Sequence, residues 1–178
     1  CNWVGGIWYN WPVSQWAMRV KYHLTPELYA QVGAYEQNPS NLDRGNGFKL
    51  SGSGTQGAIL PVELVWTPKF NGLPGEYRAG YYYSNAKASD VYKDSNGQPA
   101  ALSGEAYRSA SSKHGVWLGV QQQITSMASD NSRGLSVFAN GTMHDKKTNA
   151  IDNYVQAGLV YKGLLASRAK DDIGFAMA

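Results

Sequence analysis

Nine polar and aromatic side chains stand at alternate positions of short, mostly apolar segments, a spacing that places them together on one wet surface. They are Arg19, Lys21, Glu63, Arg78, Tyr82, Trp117, Gln121, Gln123 and Asn140. A guanidinium presents several donors in a fixed plane, a carboxylate accepts, and an amide does both. The flat rings of Trp and Tyr, among which we also count Tyr29 and Tyr35, offer apolar platforms. We expect these groups to line a face of the protein that meets water.

Bond-breaking chemistry has little support in the sequence. His23, His114 and His144 lie in separate segments without the spacing of metal ligands, and no HExxH, GxSxG or P-loop pattern occurs. The sequence therefore predicts neither an enzyme nor a cofactor. One alternative stays open at this point, because Glu36 and Glu63 fall on neighbouring predicted strands and a pair of carboxylates is the catalytic device of glycosidases.

Charge is sparse and spread along the whole chain. Of the 178 residues, 16% are charged, and the formal net charge is +3. Lys and Arg do not cluster on one segment, which argues against a nucleic-acid partner. The length suits one domain, which we place over residues 1–178. No run approaches the ~20 apolar residues of a membrane helix, but that test does not detect membrane strands, which show only alternate residues to lipid.

A strict alternation of side chains predicts the fold. In the segment 76–84, Tyr77 and Tyr81 fall on one face of an extended chain, and Glu76 and Arg78 fall on the other. Seven further segments alternate in the same way, and the connections between them tend to be alternately shorter and longer. The eight predicted strands are 16–23, 28–36, 58–66, 76–84, 114–123, 135–143, 153–161 and 172–178. This order predicts an all-β, antiparallel, up-and-down sheet.

The first strand indicates which face of that sheet meets water. Arg19, Lys21 and His23 share one face, where they would repel one another in a dry core. The opposite faces of the strands carry Val, Leu, Ile and Met, which suit contact with lipid. We therefore predict a transmembrane β-barrel whose water-filled lumen is lined by the nine candidate side chains.

The first residues are dense in amphipathic aromatics. Trp3, Trp8, Tyr9 and Trp11 stand among glycines, which is typical of an aromatic girdle at a membrane interface. Cys1 is the only cysteine, so no disulfide can form within this chain.

Three segments resemble the carbohydrate-selective porins of the OprB type. They are Pro74–Asn85 (PGEYRAGYYYSN), Tyr29–Pro39 (YAQVGAYEQNP) and His114–Gln123 (HGVWLGVQQQ). The resemblance implies a sixteen-stranded barrel in the bacterial outer membrane, surrounded by lipid, that passes glucose and related sugars by facilitated diffusion. A monomer and a homotrimer are both compatible with it. About eight strands are present here, and the chain ends on Phe-Ala-Met-Ala rather than on a terminal aromatic strand, so we expect about half of such a barrel.

Two other architectures keep the same number of strands. A soluble, secreted β-sandwich that binds carbohydrate through its aromatic side chains would need no detergent. A small eight-stranded outer-membrane barrel with a structural role would have a lumen filled by its own side chains and would conduct little.

Overall fold

The computed structural model describes residues 13–46, 50–127 and 130–178. The aromatic residues Trp3, Trp8, Tyr9 and Trp11, predicted to form a girdle, lie outside the described residues, as does Cys1. The strands are β1 (Ala17–His23), β2 (Leu28–Gln37), β3 (Gly57–Trp66), β4 (Lys69–Phe70), β5 (Leu73–Ser84), β6 (Ala88–Asp94), β7 (Tyr107–Ala110), β8 (Lys113–Gln123), β9 (Gly134–His144), β10 (Asn153–Lys162) and β11 (Asp172–Met177). One short helix, α1 (Ala100–Ser103), lies between β6 and β7. Among the described residues, no helix has both the length and the apolar character needed to span a membrane.

Eight strands form one continuous antiparallel meander. Their spatial order is β1-β2-β3-β5-β8-β9-β10-β11, so each strand pairs with the strands before and after it along this path. The all-β, antiparallel, up-and-down architecture predicted from alternation is therefore confirmed. In the described part of the chain β1 and β11 do not pair with each other, so the barrel is not closed, as an autonomous eight-stranded barrel would be. Over the same described ranges the strands build one large sheet and the separate two-stranded sheet of β6 and β7, and not the two large packed sheets of a sandwich.

One face of the sheet is apolar and exposed. Val32 in β2 faces Val62 in β3, which faces Tyr81 in β5, and the row continues through Val116 and Met143. Each of these five side chains is at least 41% exposed. Such a row has no counterpart in the core of a water-soluble domain, where these residue types are buried. An exposed apolar row of this kind is typical of strands that face lipid.

The connections fall into two groups at opposite ends of the sheet. At one end, which we call the short-turn end, lie 24–27, 67–72, 124–133 and 163–171; at the other, the long-loop end, lie 38–56, 85–112 and 145–152. The turn between β4 and β5 is a two-residue loop of Asn71 and Gly72, with φ of 51° and 80°. Both values are positive, as the commonest hairpin turn requires, and Asn and Gly are the residues that adopt them most easily.

The segment 85–112, which lies between two of the eight predicted strands and contains none of them, holds a two-stranded hairpin of β6 and β7. The hairpin is organised by Asp90, whose carboxylate accepts from the backbone N–H groups of Tyr92 and Lys93 at 3.0 Å and from Arg108 at 2.8 Å. The two backbone donors, together with Arg108, lower the pKa of Asp90 to about 2. Alternation missed this hairpin because a buried carboxylate and its cation, 18 residues apart, hold it in place.

Pro61 interrupts one ladder without shifting it. The pairs between β2 and β3 include Val32 with Val62 and Tyr35 with Ile59, in the same register, and the residues between them are unpaired. Proline has no N–H to donate, which accounts for the gap. On its other side the strand stays paired, since Pro61 lies opposite Tyr82 in β5.

Candidate functional site

The polar face of the sheet carries a row of directly opposed residues on four adjacent strands. Gln31 in β2 faces Glu63 in β3, Glu63 faces Gly80 in β5, and Gly80 faces Trp117 in β8. Three of the four are long polar or aromatic residues, and one has no side chain. We call these four residues the central row.

Glu63 is the hub of the central row. Its Oε1 accepts a hydrogen bond from Nε2 of Gln31 at 2.7 Å, and its Oε2 accepts one from Nε1 of Trp117 at 2.7 Å. Nη1 of Arg78 lies 3.8 Å from Oε2. The residue is only 8% exposed. A carboxylate removed from water needs such partners, since burial of an unpaired charge is very costly.

Gly80 makes the reach of Trp117 possible. Trp117 extends from β8 across β5 to meet Glu63 on β3, two strand spacings of ~4.8 Å away. A Cβ at position 80 would lie 2.5 Å from Cη2 of the indole and closer still to Cζ2 and Cε2. Only glycine therefore allows the indole to lie flat against the sheet at this point.

In the two neighbouring rows between β5 and β8, a large side chain likewise occupies the space above a glycine of the opposite strand. Arg78 faces Gly119, where an added Cβ would lie 2.8 Å from Cγ of the arginine. Tyr82 faces Gly115, where an added Cβ would lie 2.6 Å from the tyrosine ring. In three successive rows, a large side chain on one strand thus lies over a glycine on the other, and the strand that supplies the glycine alternates.

Arg78 joins the central row to two cavities. Its guanidinium is paired with Glu63 and also with Glu76, and its side chain is 34% exposed. One cavity is lined by residues that include Glu63, Glu76, Arg78, Trp117, Gln121 and Asn140. The other is lined by residues that include Arg19, Lys21, Tyr29, Gln31, Tyr35, Glu63, Arg78 and Trp117. Because Glu63, Arg78 and Trp117 belong to both, the structure brings seven of the nine candidate side chains into one continuous polar region.

The cationic strand β1 lies at the edge of this region. Nζ of Lys21 sits 3.6 Å from the ring centroid of Tyr29, a cation–π contact. Within the described ranges, neither Arg19 nor Lys21 has a carboxylate within 4.0 Å. This side of the region is therefore more positive than the side around Arg78.

Tyr82 and Gln123 occupy the same face but have their polar groups engaged within the protein. The Tyr82 side chain is fully buried, and its hydroxyl lies 2.8 Å from Nδ1 of His144. Nε2 of Gln123 donates to the carbonyls of Thr125 at 2.9 Å and Arg133 at 3.2 Å. Contact of these two residues with a solute stays a prediction.

The alternative pair of catalytic carboxylates does not form. Glu36 faces Ala58 in β3, five residues along that strand from Glu63, or about 17 Å at the rise of a strand. Their positions also differ in phase, so the two carboxylates belong to opposite faces of the sheet. Glycosidase carboxylates stand ~5–9.5 Å apart. Among the described residues, no group of three or more His, Cys, Asp or Glu side chains is arranged to hold a metal ion.

Sequence reasoning missed three contributors to the site. Gln31 falls on the same face of its strand as Tyr29, so the sequence alone places it among the polar residues of that face. The sequence does not show that its partner is Glu63. Gly80 and Gly119 lie in phase with the bulky residues of β5 and β8, which is a visible signal. Their importance depends on which residue stands opposite, and that requires the register.

Comparison with known proteins is consistent along the whole chain. The family model for carbohydrate-selective porins of the OprB family matches residues 1–178. Porin B of Pseudomonas aeruginosa is 65% identical over 179 residues, which cover 99% of this chain and 39% of that protein. The putative porin QuiX of Acinetobacter baylyi is 42% identical over 181 residues, which cover 98% of this chain and 38% of that protein.

Two solved structures are also similar. The high-pH structure of Pseudomonas putida OprB superposes with a TM-score of 0.92 at 70% identity, over 98% of this chain and 42% of that one. The low-pH structure of the same protein gives a TM-score of 0.60 at 45% identity, over 94% of this chain and 41% of that one. The chain therefore spans about two fifths of the length of the relatives that it matches.

Proposed function

Because the chain belongs to the OprB family of carbohydrate-selective porins, we propose that it forms part of the wall of an outer-membrane channel for glucose and related sugars. Membership of this family implies a channel rather than an enzyme. The sheet supplies one arc of the barrel, and the open edges of β1 and β11 pair with further strands in a barrel of sixteen. Open strand edges in lipid would leave backbone groups unsatisfied at several kcal/mol each.

The observation that carries the proposal is the contrast between the two faces of the sheet. The exposed apolar rows face lipid, and the polar face holds the central row, Arg78 and the two cavities that meet there. We assign to the lumen Arg19, Lys21, Glu63, Arg78, Tyr82, Trp117, Gln121, Gln123 and Asn140. Arginine and amide groups exchange hydrogen bonds with sugar hydroxyls, while the indole of Trp117 offers a flat surface to the C–H face of the ring.

Such a wall is suited to letting a solute pass and not to retaining it. A selective channel must bind its solute strongly enough to admit it and weakly enough to release it. Arg78, with about a third of its side chain exposed, gives a small number of contacts beside an aromatic platform, each replaceable by water. The barrel works as a monomer or as a homotrimer, and its apolar face contacts outer-membrane lipid in either case.

The test is solute flux through the complete porin in proteoliposomes. We expect glucose to enter faster than a linear polyether of similar mass, and we expect the glucose rate to saturate. Equal, unsaturable rates for the two solutes would describe a general diffusion pore and would overturn the sugar proposal. A protein that stays soluble without detergent and does not insert would overturn the channel itself.

A further inference from the structure

We propose that Glu63 is a positioning residue: its carboxylate holds the indole of Trp117 flat against the wall and so sets the platform over which a sugar passes. This rests on the proposed function, and it changes the role of Glu63 within it. A residue that lines the lumen is expected to meet the sugar directly. Here the contact with the sugar belongs to Trp117 and Arg78, while Glu63 works beneath them.

The hydrogen bonds of Glu63 are already taken. Gln31 donates to one oxygen from β2, and Trp117 donates to the other from β8, each at 2.7 Å. Arg78 approaches the second oxygen at 3.8 Å. With the residue 8% exposed, a sugar hydroxyl would have to displace one of these donors to reach the carboxylate.

The flat orientation of the indole needs this acceptor. Trp117 is anchored on β8, and Gly80 leaves an empty strip of β5 for the ring to cross. The free space above Gly80 permits a flat ring but does not favour it, because the N–H of an upright ring could donate its hydrogen bond to water instead. A charge-assisted hydrogen bond is roughly twice as strong as a neutral one. The carboxylate therefore favours the flat orientation over an upright one.

A purely electrostatic role is the competing explanation, because Glu63 also lies near Arg78. The variant Glu63→Asp separates the two roles. It keeps the charge in the row but draws the carboxylate back by one methylene, which prevents it from holding donors from both neighbouring strands. A role of charge alone predicts saturation of glucose flux like that of the wild type. Positioning predicts an increase, on the order of tenfold, in the glucose concentration at half-maximal flux.

A double-mutant cycle in the complete porin tests the coupling directly. Trp117→Phe removes the N–H and keeps an aromatic ring, so Glu63→Gln is expected to have little further effect on half-saturation in that background. The matched control is Glu76→Gln, which removes the other carboxylate partner of Arg78 but makes no bond to Trp117. Its effect should be the same in both backgrounds.

A spectroscopic signature accompanies the kinetics. The near-ultraviolet circular dichroism difference between wild type and Glu63→Gln should vanish in the Trp117→Phe background. Independent, additive effects of Glu63→Gln and Trp117→Phe would overturn the proposal, as would wild-type half-saturation in Glu63→Asp. If the wild-type porin shows no saturable glucose flux at all, the proposed function fails instead, and the spectroscopic cycle still decides the role of Glu63.

Discussion

Replacing Gly80 by alanine tests the description of the central row more directly than any other single change. The added Cβ would stand 2.5 Å from Cη2 of Trp117 and nearer to two other ring atoms. Carbon atoms in contact prefer separations of about 3.5–4.0 Å, so the ring must withdraw by at least about 1 Å. Because the ring lies flat, it withdraws roughly perpendicular to the 2.7 Å bond from Nε1 to Glu63, which lengthens and tilts that bond and so weakens or breaks it.

The expected cost is moderate. Losing a hydrogen bond to a charged group costs about 1.5–3 kcal/mol, and alanine recovers about 0.5–1 kcal/mol over glycine within a strand. A net destabilisation of about 1–2 kcal/mol leaves the barrel able to assemble. The displaced indole then stands away from the wall, into the space of the cavity. We expect lower single-channel conductance and slower glucose flux.

The matched control is Gly141→Ala on the apolar face. An added Cβ there would meet only the carbonyl oxygen of Tyr154, at an ordinary 3.9 Å. Conductance in planar bilayers and glucose entry into proteoliposomes should match the wild type for this control and fall for Gly80→Ala. Wild-type conductance and flux in assembled Gly80→Ala would show that the indole does not depend on the empty strip, and the account of the row would be refuted.

Three further predictions concern other parts of the sheet. Arg78→Ala should change glucose flux and its preference over a polyether without preventing assembly, and unchanged values for both would remove this residue from the lumen. Leu118→Arg, on the apolar face and 63% exposed, should destabilise the barrel by about 2–4 kcal/mol if it sits near the midplane, measured by denaturant unfolding in lipid vesicles. Gln121→Arg, on the other face of β8, should fold normally; equal losses would contradict the assignment of faces, and a loss confined to Gln121→Arg would reverse it. The folded pKa of Asp90 is about 2, below its usual 3.8, so its contribution to the β6–β7 hairpin is complete above the usual pKa and disappears as the pH falls from about 4 to 2. Protection of the amides of Tyr92 and Lys93, measured as the hydrogen-exchange rate relative to the intrinsic rate at each pH, should fall over that window, and an Asp90→Asn variant with wild-type protection of these amides at neutral pH would contradict it.

The strands and their two faces could be predicted because successive side chains of a strand point to opposite sides, so the residue types suited to each side alternate along the sequence. Tyr77 and Tyr81 differ from Glu76 and Arg78 in kind, so position along the chain is enough to assign each side. The same logic on β1, where Arg19 shares a face with other cationic side chains, predicts which face meets water, and that assignment stays a prediction. Resemblance of three segments then indicated the porin family, which the match over residues 1–178 confirms.

The arrangement within the polar face could not be predicted in the same way. Trp117 and Glu63 are 54 residues apart, and alternation is unchanged when one strand slides past another by two residues. Whether the indole meets Glu63, and whether it crosses Gly80, depends on that register. The β6–β7 hairpin was missed for a related reason, since the ion pair of Asp90 with Arg108 joins positions that no local pattern connects.

The glycines of β5 and β8 that lie opposite large side chains also affect how the width of such a channel can change. Large side chains here lie along the wall because the opposite strand leaves room for them, so the bore is governed by residues that never touch the solute. At Gly80 and Gly119, the nearest obstacles to a new Cβ are side chains, not backbone. Evolution or an engineer can therefore narrow the bore in steps by exchanging a glycine on one strand for a small residue, while Trp117 and Arg78, which we propose to contact the solute, are kept in the sequence.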